Sequence, residues 1–117
     1  MRILFVIGGC HLGAVLDETP AARAFADLLP LQLSLSDFGG GVEKVADLPR
    51  SLPVSEAPDG MAPQVGDIAY YAPWGNLAIF RQTFGYAKGL VRLGQFASHF
   101  AELDRSGRIV VTIALDE

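Results

Sequence analysis

The period of the apolar positions changes along the chain, and each change marks an element. Arg2 to Ile7 is β-branched and aromatic, and after Gly8-Gly9 a second short apolar stretch runs from His11 to Leu16. The pair predicts a hairpin with a glycine turn and two buried strands. At Asp17-Glu18-Thr19-Pro20 the pattern shifts: Thr19 can cap free helix amides, Pro20 suits the first helical position, and Ala21, Phe25 and Leu28 recur at helical spacing. This helix ends by Pro30, with Arg23 and Asp27 on its solvent side and Phe25 directed into the core.

From Leu31 the period becomes two, with Leu31, Leu33 and Leu35 on one face and Gln32, Ser34 and Ser36 on the other. That is the signature of a strand with one solvated side. Gly39-Gly40-Gly41 ends it, and a short segment, Val42 to Leu48, follows. Pro49, Pro53, Pro58 and Pro63 then forbid a helix or central strand, so 49–65 is expected to be an ordered surface loop, long enough to invite a functional role. Gly66-Asp67 opens a strand through Tyr71, which Pro73-Trp74-Gly75-Asn76 turns into a second from Leu77 to Arg81. Another turn at 85–89 leads to a strand at 91–96, and Ser98 to Leu103 fits one helical turn. The closing strand sets Ile109, Val111, Ile113 and Leu115 on one face.

Six to eight short strands, regular turn signals and one main helix near the start predict a mainly β fold, a barrel or sandwich, in a single domain spanning 1–117. With 117 residues, half of them apolar, a core is within reach without staples, and disorder is excluded. The net charge of −4 and scattered basic residues argue against a nucleic-acid or anionic-membrane partner. The single cysteine, Cys10, permits no intrachain disulfide and fits a reducing, cytoplasmic setting. Ile3 to Ile7 is too short for an export signal, and no apolar run approaches the ~20 residues of a membrane span.

The familiar chemical motifs fail on spacing. Gly8-Gly9-Cys10-His11-Leu12-Gly13 puts Cys10 where a dinucleotide fingerprint needs its second glycine, and a strand follows instead of a helix. His11 adjoins Cys10 but on a strand points to the opposite side, so no base activates the thiol. His11, His99 and Cys10 lack metal-ligand spacing, so neither metal nor cofactor is expected. Asp17-Glu18 and Asp116-Glu117 read as capping or solvated charge. What remains is an aromatic and polar concentration, Tyr70, Tyr71, Trp74, Asn76, Phe80, Phe84 and Tyr86. Barrel packing accounts for Tyr70 and Phe80, whereas an indole at a turn tip calls for a pocket or interface.

The segment GDIAYYAPWGNLAIF from Gly66 to Phe80, followed by Phe84-Gly85-Tyr86, Gly89-Leu90 and Leu93-Gly94, resembles the small prokaryotic cyclophilin-like domain family. Asp37-Phe38, Glu43-Lys44, Leu48-Pro49-Arg50, Ala57-Pro58 and Gly60 look like its middle section, and Thr19-Pro20 through Leu29-Pro30 looks like its helix. The resemblance implies a closed cyclophilin-like β-barrel with few helices, in a family without an established activity. True cyclophilins isomerise prolyl bonds with an arginine on a central strand, a glutamine, cleft phenylalanines and a histidine. Rough register puts Ser34 to Ser36 at the arginine strand and Leu90 near the histidine, so both polar catalytic groups are missing and no catalytic residue is assigned.

Three functions stay open. The first is a binding module for a peptide or small ligand, its cleft walled by the aromatic hairpin and the proline-rich loop. Its ligand-binding residues are then Arg50, Tyr71, Trp74, Asn76, Phe80, Phe84 and Tyr86, with Arg50 and Asn76 the polar groups nearest Trp74. The second is a weak peptidyl-prolyl isomerase, and the third a self-association or partner-docking domain, including a homo-oligomer.

Overall fold

The computed structural model describes residues 1–98 and 100–116. Ten strands and one α-helix follow in chain order: β1 (Arg2–Ile7), β2 (Cys10–Leu16), α1 (Pro20–Asp27), β3 (Leu31–Phe38), β4 (Glu43–Asp47), β5 (Gly60–Met61), β6 (Asp67–Tyr71), β7 (Asn76–Phe80), β8 (Ala87–Lys88), β9 (Leu90–Phe96) and β10 (Ile109–Leu115). Eight of the strands close into an antiparallel barrel in the order β1-β10-β3-β4-β7-β6-β9-β2. The other two, β5 and β8, pair with each other as a small flap. Closure removes the exposed sheet edges that an open sheet of these apolar strands would leave.

Alternation along each strand decides what faces inward. Ile3, Phe5 and Ile7 from β1, Leu12, Ala14 and Leu16 from β2, Ile68 and Tyr70 from β6, Leu77 and Ile79 from β7, and Ile109, Val111 and Ile113 from β10 form one buried cluster. Phe5 and Phe96 meet inside it at 4.8 Å between ring centroids. The β1–β2 hairpin forms as expected, but only one face of each strand is buried, and Val15 stands exposed on the other. Leu115 likewise shares the parity of Ile113 yet lies exposed beyond the end of the core.

Thr19 caps α1, its Oγ1 accepting from Ala22 N–H at 3.2 Å, with Pro20 in the first turn. Ala21, Ala22, Phe25 and Ala26 form the buried face, and their small methyls let the helix approach closely while Phe25 fills the core. The long connection after β4 is not purely a surface loop. Leu52 is buried, its N–H donates to the buried Tyr70 hydroxyl at 3.2 Å, and Leu48, Val54 and Ala57 also pack on the barrel core. The connection then supplies β5. Gly60 is required there, since a Cβ would fall against Ala87 O and within 2.8 Å of Tyr86 Cζ.

One end of the interior is polar. Asp37, Lys44 and Ile79 share the inward face through the pairings Asp37↔Lys44 and Lys44↔Ile79. Lys44 is 0% exposed and its Nζ lies 2.6 Å from Asp37 Oδ1 while also donating to Gly107 O. Asp37 Oδ2 accepts from Gly107 N–H at 2.7 Å, and Arg81 adds Nη2 at 3.4 Å from Oδ1 and donates through Nε to Gly41 O at 2.9 Å. This network ties β3, β4, the end of β7 and the connection into β10 together. Lys44 directs its charge into a ring of acceptors, which is what lets a lysine be buried.

Candidate functional site

The outward face of β4, β7, β6 and β9 carries a second apolar cluster, distinct from the barrel core, made of Ala69, Ala78, Phe80 and Leu90 with Val42, Val45, Met61, Tyr71 and Ala87 packed on it. The register explains its shape. Across the sheet Glu43 pairs with both Phe38 and Phe80, Val45 with Ala78, Ala78 with Ala69, and Asn76 with Tyr71, which pairs in turn with Leu90. Partners in register share a face, so these side chains form rows on the outside of the barrel. In the middle row Ala78 and Ala69 are the smallest, whereas Phe38, Phe80, Tyr71 and Leu90 rise on both sides. The result is a concavity of about 340 Å³.

Its aromatic wall is ordered by edge-to-face contacts. Trp74 meets Phe38 at 5.3 Å and 87°, and Tyr71 at 5.3 Å and 82°. Such T-shaped pairs set a positive ring edge against a negative ring face. Trp74 is nevertheless 59% exposed, because it projects from the 72–75 turn, where Trp74 N–H and Gly75 N–H both donate to Tyr71 O. Phe84 lines the opposite side, and Ala87 and Lys88 of β8 complete the rim.

Two polar side chains enter this apolar setting. Asn76 is 6% exposed, and its Oδ1 is buried without a hydrogen-bond partner among the described residues. Buried amide oxygens are normally satisfied, so an orphaned one marks a place where a partner is missing. Glu43, half-buried, has burial alone pushing its carboxyl above the usual carboxylate range. No hydrogen bond or ion pair joins it to another described residue. Glu43 and Lys88 are the charged residues that line the cleft.

The cyclophilin-like family model matches residues 5–114. The chain belongs to the cyclophilin-like family. Hypothetical protein AF2241 from Archaeoglobus fulgidus, known from a solution structure, has a similar fold, with a TM-score of 0.67 over 99% of this chain and 95% of that one at 16% identity. No curated protein matches the sequence.

Of the residues expected from the sequence, this cyclophilin-like barrel brings Tyr71, Trp74, Asn76, Phe80 and Phe84 to one cleft. Phe80 is buried as expected, but on the outer cluster and not in the barrel core. Tyr86 lies outside the cleft, packed over Gly60. Arg50 does not line the cleft either. The loop that carries it turns its apolar residues, Leu52 foremost, into the barrel mouth at Tyr70, and Arg50 is exposed and outside the cleft lining, although Leu48 N–H donates to Gly75 O beside Trp74 at 3.2 Å. For the same reason the proline-rich loop does not wall this cleft. Pro53 and Pro58 line a separate cavity of about 370 Å³ beside the start of α1, where Asp17 is already paired with Arg92 at 3.0 Å.

Cleft residues outside the set expected from the sequence include Phe38, Glu43, Val45 and Lys88. The alternation of Glu43 and Val45 with Lys44 and Ala46 was the available signal. Among the described residues no group of three or more His, Cys, Asp or Glu side chains could hold a metal ion, and no helix is long and apolar enough to cross a membrane. His99 lies outside the described residues.

Proposed function

We propose that the chain is a binding module whose outer cleft takes a peptide segment or small ligand. The orphaned Asn76 Oδ1 carries this reading: a buried acceptor in an aromatic concavity costs about 1 to 3 kcal/mol unless something donates to it. The rest of the surface fits the role. Trp74, Phe38 and Phe84 are large exposed apolar groups gathered around one depression, the pattern of a recognition site more than of random surface. The lining residues include neither arginine nor histidine, so an isomerase reading has only Lys88, exposed at the rim, to stabilise a twisted amide.

Trp74 is the only tryptophan, so its fluorescence reports on the cleft directly. Titration with a panel of capped tetrapeptides, followed by fluorescence and by amide chemical shifts, is expected to give saturable changes centred on Tyr71, Trp74, Asn76 and Phe80 for part of the panel. These changes are lost in Trp74→Ala. Saturable shifts located elsewhere on the barrel, or an unchanged response in Trp74→Ala, would refute the assignment.

A further inference from the structure

Resting on that reading of the cleft, we infer that its ligand is anchored by a cationic nitrogen, an alkylammonium or guanidinium group held by the Glu43 carboxylate at the Phe38 end of the aromatic wall, while Asn76 Oδ1, four residues along β7 from Phe80, accepts from a second donor of the ligand. Three independent observations converge on a cation. The buried Asn76 Oδ1 and the Glu43 carboxylate both present acceptor oxygens to the cleft, so a ligand group that meets either must donate hydrogen bonds. One of the two is a carboxylate that burial disfavours and that no described cation compensates. A positive ligand group replaces the lost hydration of that charge, which a neutral donor does less well.

The third observation is the aromatic geometry. Phe38 and Tyr71 both stand nearly perpendicular to Trp74, at 87° and 82° with equal 5.3 Å separations. Rings set at right angles around one hollow can offer π faces to a common guest, the arrangement that attracts ammonium and guanidinium groups. Glu43 lies at the Phe38 end of this arrangement, paired in register with Phe38 on one side and Phe80 on the other. From the elements around Glu43, β3 and its following turn present Phe38 and Gly39, β7 presents Phe80 and Asn76, β6 presents Tyr71 and β8 presents Lys88. Lys88 is the one cation in that lining, exposed at the rim and without an ion pair among the described residues. It therefore competes with a cationic guest without filling its place.

The test uses three probes that share one n-pentyl group, n-pentylammonium, 1-pentanol and hexanoate, titrated into the intact protein with Trp74 fluorescence and chemical shifts as readouts. The ammonium is expected to bind at least tenfold more tightly than pentanol, with hexanoate weakest. Glu43→Gln should abolish the preference for the ammonium over pentanol, and Lys88→Met should tighten ammonium binding. If pentanol or hexanoate binds the cleft as tightly as the ammonium, or Glu43→Gln leaves the preference intact, the cationic anchor is wrong while the binding cleft stands. If the ammonium, the alcohol and the capped peptides all leave the cleft unperturbed, the binding-module reading itself fails along with it.

Discussion

Tyr70 and Leu52, eighteen positions apart, meet inside the barrel mouth, where the Leu52 N–H donates to the Tyr70 hydroxyl at 3.2 Å. Both residues are buried, so this bond pins the long connection after β4 to the barrel core. The connection contributes no residue from 49–65 to the lining of the outer cleft, Arg50 included, although its Met61 packs on the same outer cluster.

Replacing Tyr70 by Phe keeps the ring and removes only the acceptor. The expected cost is about 1 to 3 kcal/mol, because a buried N–H loses its partner. Urea unfolding measures the cost, and amide exchange at Leu52 should quicken far more than at Ile79. Equal protection at Leu52 in the variant would show that the loop is held by its apolar contacts alone.

The Lys44–Asp37 pair makes the opposite point about polar groups in a core. Asp37→Asn leaves a fully buried ammonium with weaker acceptors, whereas Lys44→Met removes the buried charge and leaves Asp37, partly exposed, still paired with Arg81 and the Gly107 N–H. Asp37→Asn should therefore lower the melting temperature clearly more than Lys44→Met. The pH profile follows from the same contacts. The Lys44 hydrogen bond, then the Gly107 N–H, lower the Asp37 pKa in the fold. Its stabilising contribution is thus present above the unfolded value of about 3.9 and is lost as pH falls through the folded one. Acid melts of wild type and Asp37→Asn should converge at low pH; parallel curves would disprove the linkage.

Much of this architecture is legible in the sequence, and the misses have physical causes. Period-two runs with glycine and proline punctuation mark the strands, and Thr19-Pro20 marks the helix, because those signals are local. Trp74 was readable as a surface residue for the same reason, since a turn tip offers no room to bury an indole. Glu43 was not. A carboxylate on a short strand reads as solvated, and only the cross-strand register with Phe38 and Phe80 sets it in a hollow. Lys44 was hidden by the same default, and Arg50 falls outside the cleft lining because the loop turns Leu52 toward the distant Tyr70.

Trp74→Ala separates binding from folding. The indole is mostly exposed, so the change should alter stability by less than about 1 kcal/mol, well below the cost of emptying a core site. Phe80→Ala, by contrast, removes a buried ring from the outer cluster and should cost about 3 to 5 kcal/mol. Chemical denaturation of the two variants in parallel checks the ordering, and comparable losses would mean that Trp74 is chiefly structural.

Prolyl isomerase activity is expected to be marginal at most. An apolar cleft without arginine or histidine lacks the preorganised positive charge that favours the twisted amide over the planar one. A protease-free assay decides it. Turnover approaching that of an ordinary cyclophilin, lost in Trp74→Ala, would promote the enzyme reading over the binding module.

Glu43→Gln joins stability and binding in one variant. Burial raises the Glu43 pKa in the fold above its unfolded value, so the folded chain holds that proton more tightly than the unfolded chain does. The sign is then opposite to that of Asp37: the advantage of the neutral carboxyl is complete below the unfolded pKa and disappears as pH rises through the folded one. At neutral pH the ionised group is a cost carried by the empty protein. Glutamine preserves the shape and removes the charge, so Glu43→Gln should melt higher than wild type near pH 7, with the difference shrinking as pH falls toward 4. The same substitution is expected to lose the preference for n-pentylammonium. A residue whose removal stabilises the fold while abolishing selectivity is one whose charge is kept for a ligand. Destabilisation at pH 7 by Glu43→Gln would instead assign Glu43 a structural role and take away the main support for a cationic guest.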